Sequence, residues 1–138
     1  MKPLETAAFL DTSYVVRYLT NDPPEMAQQA ARVIDGDEPL VLSEMVLLES
    51  AYVLSSFYAV PRADLVDALV DLVQRHNLRF HHLPKRWVLE ALRLCRDSKR
   101  VSFTDALLWA EARTSGAGRV YSFDQRFPTE GLTLITGA

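Results

Sequence analysis

The chain has 138 residues, a net charge of −3 and a hydrophobic fraction of 49%, which are the properties of one globular domain spanning residues 1–138. Nucleic-acid-binding proteins usually carry basic surface, so the negative net charge argues mildly against one. The single cysteine, Cys95, excludes an internal disulfide. No signal peptide and no apolar run of roughly 20 residues is evident, so a cytoplasmic protein with no membrane partner is expected.

Short apolar runs alternate with helical patterns along the chain, which predicts an α/β fold with a parallel sheet and helices on both faces. The first strand is predicted at 7–11, and Thr12 or Ser13 is expected to cap the helix that follows it. Further strands are predicted at 39–42, 78–83, 119–122 and 133–135. The other predicted helices run from 23 to 35, from the Ser43 cap to 58, from 61, from 84 to 97 and from 104 to 115.

Three aspartates are predicted at the same edge of this sheet. Asp11 ends the first strand, Asp124 follows the strand 119–122, and Asp105 lies in the first turn of the helix that leads into that strand. Ligands of open α/β sheets bind beyond the carboxyl ends of the strands. Each aspartate also has a purely structural interpretation: Asp11 as a helix cap, Asp105 as a first-turn acid and Asp124 as a turn initiator.

Glu49 has no such structural interpretation. Its helical neighbours three and four positions away include Met45, Val46, Tyr52 and Val53, so the sequence predicts a lone carboxylate on an apolar helix face. Such a group needs a basic partner or a metal ion. A hard divalent cation relieves the repulsion among converging carboxylates, and Mg²⁺ accepts oxygen ligands together with substrate phosphate. The sequence therefore predicts an Mg²⁺ or Mn²⁺ site.

In four segments the chain resembles the PIN-domain ribonucleases, specifically the VapC-like toxins of toxin–antitoxin pairs. The segments are Phe-Leu-Asp-Thr-Ser-Tyr-Val-Val-Arg-Tyr-Leu-Thr-Asn-Asp at 9–22, the helix of Glu49, Ser-Phe-Thr-Asp-Ala-Leu at 102–107, and Val-Tyr-Ser-Phe-Asp-Gln-Arg-Phe at 120–127. They occur in the order and spacing of the family and extend over nearly the whole chain.

The resemblance implies a three-layer α/β/α fold around a mostly parallel central sheet, and metal-dependent cleavage of RNA. It also implies a homodimer and a small antitoxin that blocks the site. By position, the family's acidic quartet, which is both catalytic and metal-binding, corresponds to Asp11, Glu49, Asp105 and Asp124. The hydroxyl positions that orient carboxylates or metal-bound water correspond to Thr12 and Ser122. Many relatives carry a further acid where this chain has Arg126, which puts a second metal ion in doubt.

A basic stretch leads into the Asp105 segment. We expect it either to guide RNA or to form a solvated helix end, and Arg126 is a further candidate for contact with phosphate. The candidate RNA contacts are therefore Arg93, Arg96, Lys99, Arg100 and Arg126. His81 and His82 are predicted on a strand, where they would point to opposite faces and be unable to bind one ion together.

Apolar helix surface at 46–58 and 65–73 is the predicted dimer interface. Two alternatives to an RNA-cutting toxin stay open within the same resemblance: a nuclease of RNA processing or DNA repair, and a degenerate module that only binds RNA or protein. Phosphatase chemistry of the haloacid dehalogenase type requires a second Asp two residues after the first, and this chain has Ser13 there.

Overall fold

The computed structural model describes residues 7–98 and 100–136, so the predicted RNA contact Lys99 lies outside the described residues. The strands are β1 (Ala8–Phe9), β2 (Leu40–Leu42), β3 (Leu78–Phe80), β4 (Arg119–Tyr121) and β5 (Thr133–Ile135). The helices are α1 (Thr12–Thr20), α2 (Pro24–Ile34), α3 (Glu44–Ser56), α4 (Arg62–Val73), α5 (Lys85–Arg96) and α6 (Phe103–Ser115).

The strands pair only in parallel, which confirms the α/β class and the parallel sheet predicted from the sequence. β2 lies between β1 and β3, with Leu40 opposite Ala8 on one side and Leu78 on the other. Within the described residues β4 and β5 pair only with each other, as a separate two-stranded ladder. Because β1, β2 and β3 are parallel, the residues that follow them meet at one edge of the sheet.

The apolar faces of the six helices pack around the strands in one cluster of buried side chains. α1 packs against α2 and α3, and α5 packs against α4 and α6. Helical spacing explains the packing of α4, whose Leu65, Val66, Leu69 and Leu72 are all buried and leave its acids outside. Cys95 is also fully buried, as expected of a core cysteine, and burial raises the pKa of its thiol to about 11.

The β4–β5 ladder is held to α6 largely by side chains. The indole Nε1 of Trp109 and the guanidinium Nη1 of Arg113 donate to the carbonyl of Glu130, at 2.7 and 2.8 Å. Gly131 makes this contact possible, because its φ is +72° and a Cβ there would lie 2.3 Å from the Arg113 guanidinium. Buried Val120 and Phe127 add apolar contact with the common core.

Several local predictions differ from the structure. Asp11, rather than Thr12 or Ser13, is the N-cap of α1, and Ser102 caps α6 one residue earlier than expected. The predicted strand 78–83 ends at Phe80. The backbone N–H of His81 still donates to the carbonyl of Leu42, but those of His82 and Leu83 turn toward the carboxylate of Glu44. The prediction that His81 and His82 point to opposite faces is therefore wrong: their rings are exposed and their centroids lie 4.1 Å apart.

No helix within residues 7–98 and 100–136 has the length and apolar character of a membrane span.

Candidate active site

Asp11 is the first acid of the candidate site and lies just beyond β1. Its extended backbone, with φ −85° and ψ 159°, places the carboxylate at the start of α1. There Oδ2 accepts hydrogen bonds from the hydroxyl of Ser13 at 2.8 Å and from its backbone N–H at 3.4 Å. These bonds lower the pKa of Asp11 below its ordinary value, so the exposed side chain is a carboxylate at neutral pH. The structural interpretation of Asp11 as a helix cap is confirmed.

Glu49 lies on α3, and its Oε1 accepts a hydrogen bond from the hydroxyl of Thr12. Thr12 directly follows Asp11, so this bond brings the two acids to the same corner of the molecule; we call them the Asp11–Glu49 half of the site. Glu49 was predicted as a lone carboxylate on an apolar helix face, and the structure shows that this face is not buried. The side chain of Glu49 is exposed, and so are its helical neighbours Met45 and Tyr52, at 78% and 69%. This face of α3 meets solvent, so Glu49 needs no basic partner.

Asp105 is half-buried in the first turn of α6. Its backbone N–H donates to the capping hydroxyl of Ser102 at 3.0 Å, and its position near the helix N-terminus favours a negative charge. α6 packs against α3. Leu48 and Ala106, the chain neighbours of Glu49 and Asp105, line the same small apolar cavity. Asp105 and Glu49 therefore lie on neighbouring helices.

Asp124 follows β4 and is held by three hydrogen bonds. Its backbone N–H donates to the hydroxyl of Ser122 at 3.0 Å. Its Oδ1 accepts from the backbone N–H of Arg126 at 2.9 Å and from the guanidinium Nε of Arg126 at 3.1 Å. The bonds from Arg126, aided by the charge of Arg100, lower the pKa of Asp124. Asp105 and Asp124 both interact electrostatically with Arg126, and we call them the Asp105–Asp124 half of the site.

The two hydroxyls expected beside the acids are both in contact with them. Thr12 donates to the side chain of Glu49, and Ser122 accepts from the backbone of Asp124. Thr12 therefore contacts a carboxylate directly, whereas the contact of Ser122 is with the backbone of Asp124 and not with its carboxylate. The contact of Thr12 with Glu49 joins residues 37 positions apart, whereas Ser122 and Asp124 are only two positions apart.

The fit of this arrangement to a divalent cation follows from its donors. All four side chains offer oxygen, the element that Mg²⁺ and Mn²⁺ prefer. Among the described residues no three His, Cys, Asp or Glu side chains are grouped closely enough to hold one ion by themselves. Mg²⁺ does not require such a group, because it commonly binds one or two carboxylates and keeps several waters. The oxygen donors of the Asp11–Glu49 half therefore suit a divalent ion, and Asp105 is a further acid on the neighbouring helix α6.

The basic side chains are largely engaged in ion pairs. Arg93 pairs with Glu90 at 2.9 Å and lies 3.8 Å from Glu130, and Arg96 makes two bonds to Asp67, at 2.7 and 3.1 Å. Arg100 is exposed and acts on Asp124 through its charge. Of the described candidates for RNA contact, Arg100 and Arg126 are therefore the ones with a charge interaction with the candidate site.

The buried carboxylate of α3 is Glu44, which the sequence did not single out. It is only 8% exposed, and its Oε2 accepts from the backbone N–H groups of His82 and Leu83 at 3.0 and 2.6 Å. This bond fixes the turn between β3 and α5, so the role of Glu44 is structural. The position of Glu44 in the first turn of α3 indicates that the helix dipole stabilises its negative charge. The neighbouring residues give no indication of its partners His82 and Leu83, which are far away in the sequence.

One of the two predicted dimer surfaces is wrong. The apolar side chains of 65–73 are buried inside the chain, and the exposed side of α4 carries Asp64, Asp67 and Asp71. The other predicted surface, at 46–58, does expose apolar side chains, with Tyr52 at 69% and Phe57 at 80%.

A parallel α/β domain with acids beyond its strands is an architecture suited to nucleases. A model of the PIN domain family matches residues 8–129, which is most of the chain. The chain therefore belongs to the PIN domain family and carries a nuclease fold. PIN domains are generally metal-dependent nucleases. No curated protein and no solved structure matches the chain significantly.

Proposed function

We propose that this protein is a metal-dependent endoribonuclease that acts as the toxin of a toxin–antitoxin pair. The observation that carries the proposal is the contact of Thr12 with Glu49. This bond links Glu49 to the residue that follows Asp11, so it connects the parts of the chain that carry these two acids. Both carboxylates stay exposed. Exposed carboxylates that are held by hydroxyls keep their charge available for a cation and its bound phosphate.

In this proposal Asp11 and Glu49 hold an Mg²⁺ or Mn²⁺ ion, and Asp105 completes the set of acids around it. When bound, such an ion lowers the pKa of a water molecule and stabilises charge on the phosphodiester oxygens. The chain's own contribution is positioning. Ser13 keeps the carboxylate of Asp11 ionised and at the start of α1, and Thr12 orients the carboxylate of Glu49 toward the same corner.

Contact with RNA is proposed to fall first on Arg100 and Arg126. Both carry exposed guanidinium groups, and both act electrostatically on the Asp105–Asp124 half. Guanidinium binds phosphate through two parallel hydrogen bonds, which suits it to a strand that passes the acids. Arg93 and Arg96 bond to Glu90 and Asp67 through both Nε and Nη2, whereas Arg126 bonds to Asp124 through Nε alone, so we assign Arg93 and Arg96 a smaller part.

The proposed partners are an antitoxin and a second copy of the chain. A groove between α1 and α2 begins beside the Asp11–Glu49 half and is lined by Ser13, Tyr14, Arg17, Met26, Gln29 and Ala30. An antitoxin segment in this groove would be able to bring an arginine to Glu49 and Asp105, pair with the carboxylates and exclude the metal ion. The exposed stripe of α3 with Tyr52 and Phe57 is the proposed dimer surface.

The first experiment measures RNA cleavage by the purified full chain with Mg²⁺, with Mn²⁺ and with EDTA. We expect cleavage with either ion and none with EDTA. A protein carrying both Asp11→Asn and Glu49→Gln, purified in the same way, controls for contaminating nucleases. Cleavage that persists in EDTA and is absent from the control would exclude the metal mechanism, and cleavage of single-stranded DNA alone would favour a repair nuclease.

The second experiment tests the toxin role by expression in bacteria. The wild-type chain is expected to arrest growth, the Asp11→Asn variant is not, and co-expression of a small gene adjacent to its own should restore growth. Wild-type protein that accumulates in soluble form and cleaves RNA in vitro without arresting growth would favour RNA processing. A soluble, well-folded protein without cleavage under any metal condition would indicate a degenerate binding module.

A further inference from the structure

Arg126 occupies a special position in the Asp105–Asp124 half of the site. Its Nε lies 3.1 Å from Oδ1 of Asp124, and its backbone N–H reaches the same oxygen at 2.9 Å. Both bonds come from a residue only two positions away in the chain. Forming them therefore costs little conformational entropy. The side chain of Arg126 is 57% exposed and that of Asp124 is 35% exposed, so the pair lies at the surface.

The charge of Arg126 acts on both acids of this half. It forms an ion pair with Asp124 and interacts electrostatically with Asp105, and Arg100 adds a further positive charge near Asp124. The Asp11–Glu49 half differs, because the contacts described for its acids come from the neutral hydroxyls of Ser13 and Thr12. The Asp11–Glu49 half thus presents negative charge, whereas the charge of Asp124 is already compensated by its ion pair with Arg126.

A divalent ion at Asp124 would have to displace the guanidinium from Oδ1 or bind beside it, against like-charge repulsion. We propose that the Arg126 guanidinium is the resident cation of the Asp105–Asp124 half and stands where a second divalent ion would bind. This inference rests on the proposed function, in which the Asp11–Glu49 half holds one divalent ion. Asp124 then acts as a positioning residue for Arg126 and is not a metal ligand.

The test is a titration of the metal-free full chain with Mn²⁺. The electron paramagnetic resonance signal of the free ion is measured at each step and gives the number of ions bound per chain. The wild type is compared with Arg126→Asp, which removes the guanidinium and adds a carboxylate. The expected result is one more bound Mn²⁺ per chain in the variant than in the wild type. Arg119→Asp is the matched control, because it changes the net charge equally at the other end of β4, and it should add no ion.

A second variant guards against a change in fold at position 126. Asp124→Asn combined with Arg126→Gln keeps the shape of the first side chain, keeps a polar but shorter side chain at position 126, and removes both charges. If Asp124 is not a ligand, this double variant should bind Mn²⁺ within about threefold of the wild-type affinity. Loss of a bound ion in the double variant would show that Asp124 is a ligand and would overturn the inference.

The increment and the absolute count answer separate questions. An increment of zero between wild type and Arg126→Asp, with the circular dichroism spectrum unchanged, would contradict the role of Arg126 whatever the wild-type count. A wild type that binds no Mn²⁺ would contradict the metal-dependent function, even if the variant gains one ion. A wild type that binds two ions would overturn the inference and leave the proposed function standing.

Discussion

The two halves of the candidate site hold their carboxylates with different chemistry. Neutral hydroxyls of Ser13 and Thr12 bind Asp11 and Glu49, whereas a guanidinium binds Asp124. A hydroxyl fixes a carboxylate without cancelling its charge, and a guanidinium fixes it and cancels the charge. The comparison teaches that four acids in one sequence pattern need not serve one purpose. Asp11 and Glu49 are bound by neutral groups, Asp124 is bound by a cation, and Asp105 interacts with that cation only electrostatically.

Removing the acids one at a time should separate Asp124 from the other three acids most clearly. Asp11→Asn, Glu49→Gln and Asp105→Asn are each expected to abolish cleavage, and Asp124→Asn to reduce it more mildly, by about the tenfold typical of an outer-shell partner. Thermal stability should change by less than about 1 kcal/mol in Asp11→Asn and Glu49→Gln, because Asn is also a good helix cap and Glu49 is exposed.

Glu44→Gln is the control for these variants, because it changes a glutamate of the same helix that is buried. It should lower the free energy of unfolding by about 1–3 kcal/mol through its backbone partners at His82 and Leu83. Equal losses of stability in Glu44→Gln and Glu49→Gln would mean that Glu49 is structural. An Asp124→Asn variant as inactive as Asp11→Asn would remove the distinction between the halves.

The hydroxyl of Thr12 is the next most sensitive point. Thr12→Val keeps the shape of the side chain but removes its bond to Glu49, and we expect a loss of about 10–100-fold in activity or metal affinity. Thr12→Ser should restore most of it. Thr20→Val on the same helix is the matched control, because its hydroxyl bonds only to the carbonyl of Val16. Similar losses at positions 12 and 20 would indicate a general effect on α1.

The smallest expected effect is a difference in salt dependence between Asp11 and Asp124. Both pKa values are lowered from 3.8, so any stability they contribute is present above that pH and is lost as the pH falls through the folded-state pKa. Added salt should raise the pKa of Asp124 toward its ordinary value by screening Arg126, and leave that of Asp11 nearly unchanged. Carboxyl NMR titrations of the metal-free protein at low and high salt measure the pKa values of Asp11 and Asp124. Equal shifts with salt would contradict the difference between the neutral partner of Asp11 and the charged partner of Asp124.

The sequence predicted best what depends on neighbouring residues. The acids that follow β1 and β4, and the one near the start of α6, were placed correctly because strand ends and helix caps are local features. The contact between Asp124 and Arg126 is equally local, but the sequence analysis did not predict it. The parallel order of the strands followed from their alternation with helices.

Prediction from the sequence failed where the buried face of a helix, or the partner of a side chain, depended on residues far away in the sequence. Nearly every position of α3 around Glu49 is apolar, so periodicity could not tell that Glu44 is buried and Glu49 is exposed. The partner of Arg96 is Asp67, 29 residues away, and no pattern along the chain relates the two. Likewise, the apolar residues of α4 suggested a dimer surface, but the chain's own core covers them.

The way in which β4 and β5 are attached has a consequence for the dynamics of Asp124. Their ladder shares no backbone pairing with β1–β3 in the described chain, and it depends on the bonds of Trp109 and Arg113 to the carbonyl of Glu130. Regions with few shared backbone hydrogen bonds open locally at a lower free energy than the core. Amide protons of β4 and β5 should therefore exchange with solvent before those of β2. The acid that holds Arg126 thus lies next to the segment that opens first, while the Asp11–Glu49 half stays anchored to the slower-exchanging part of the fold.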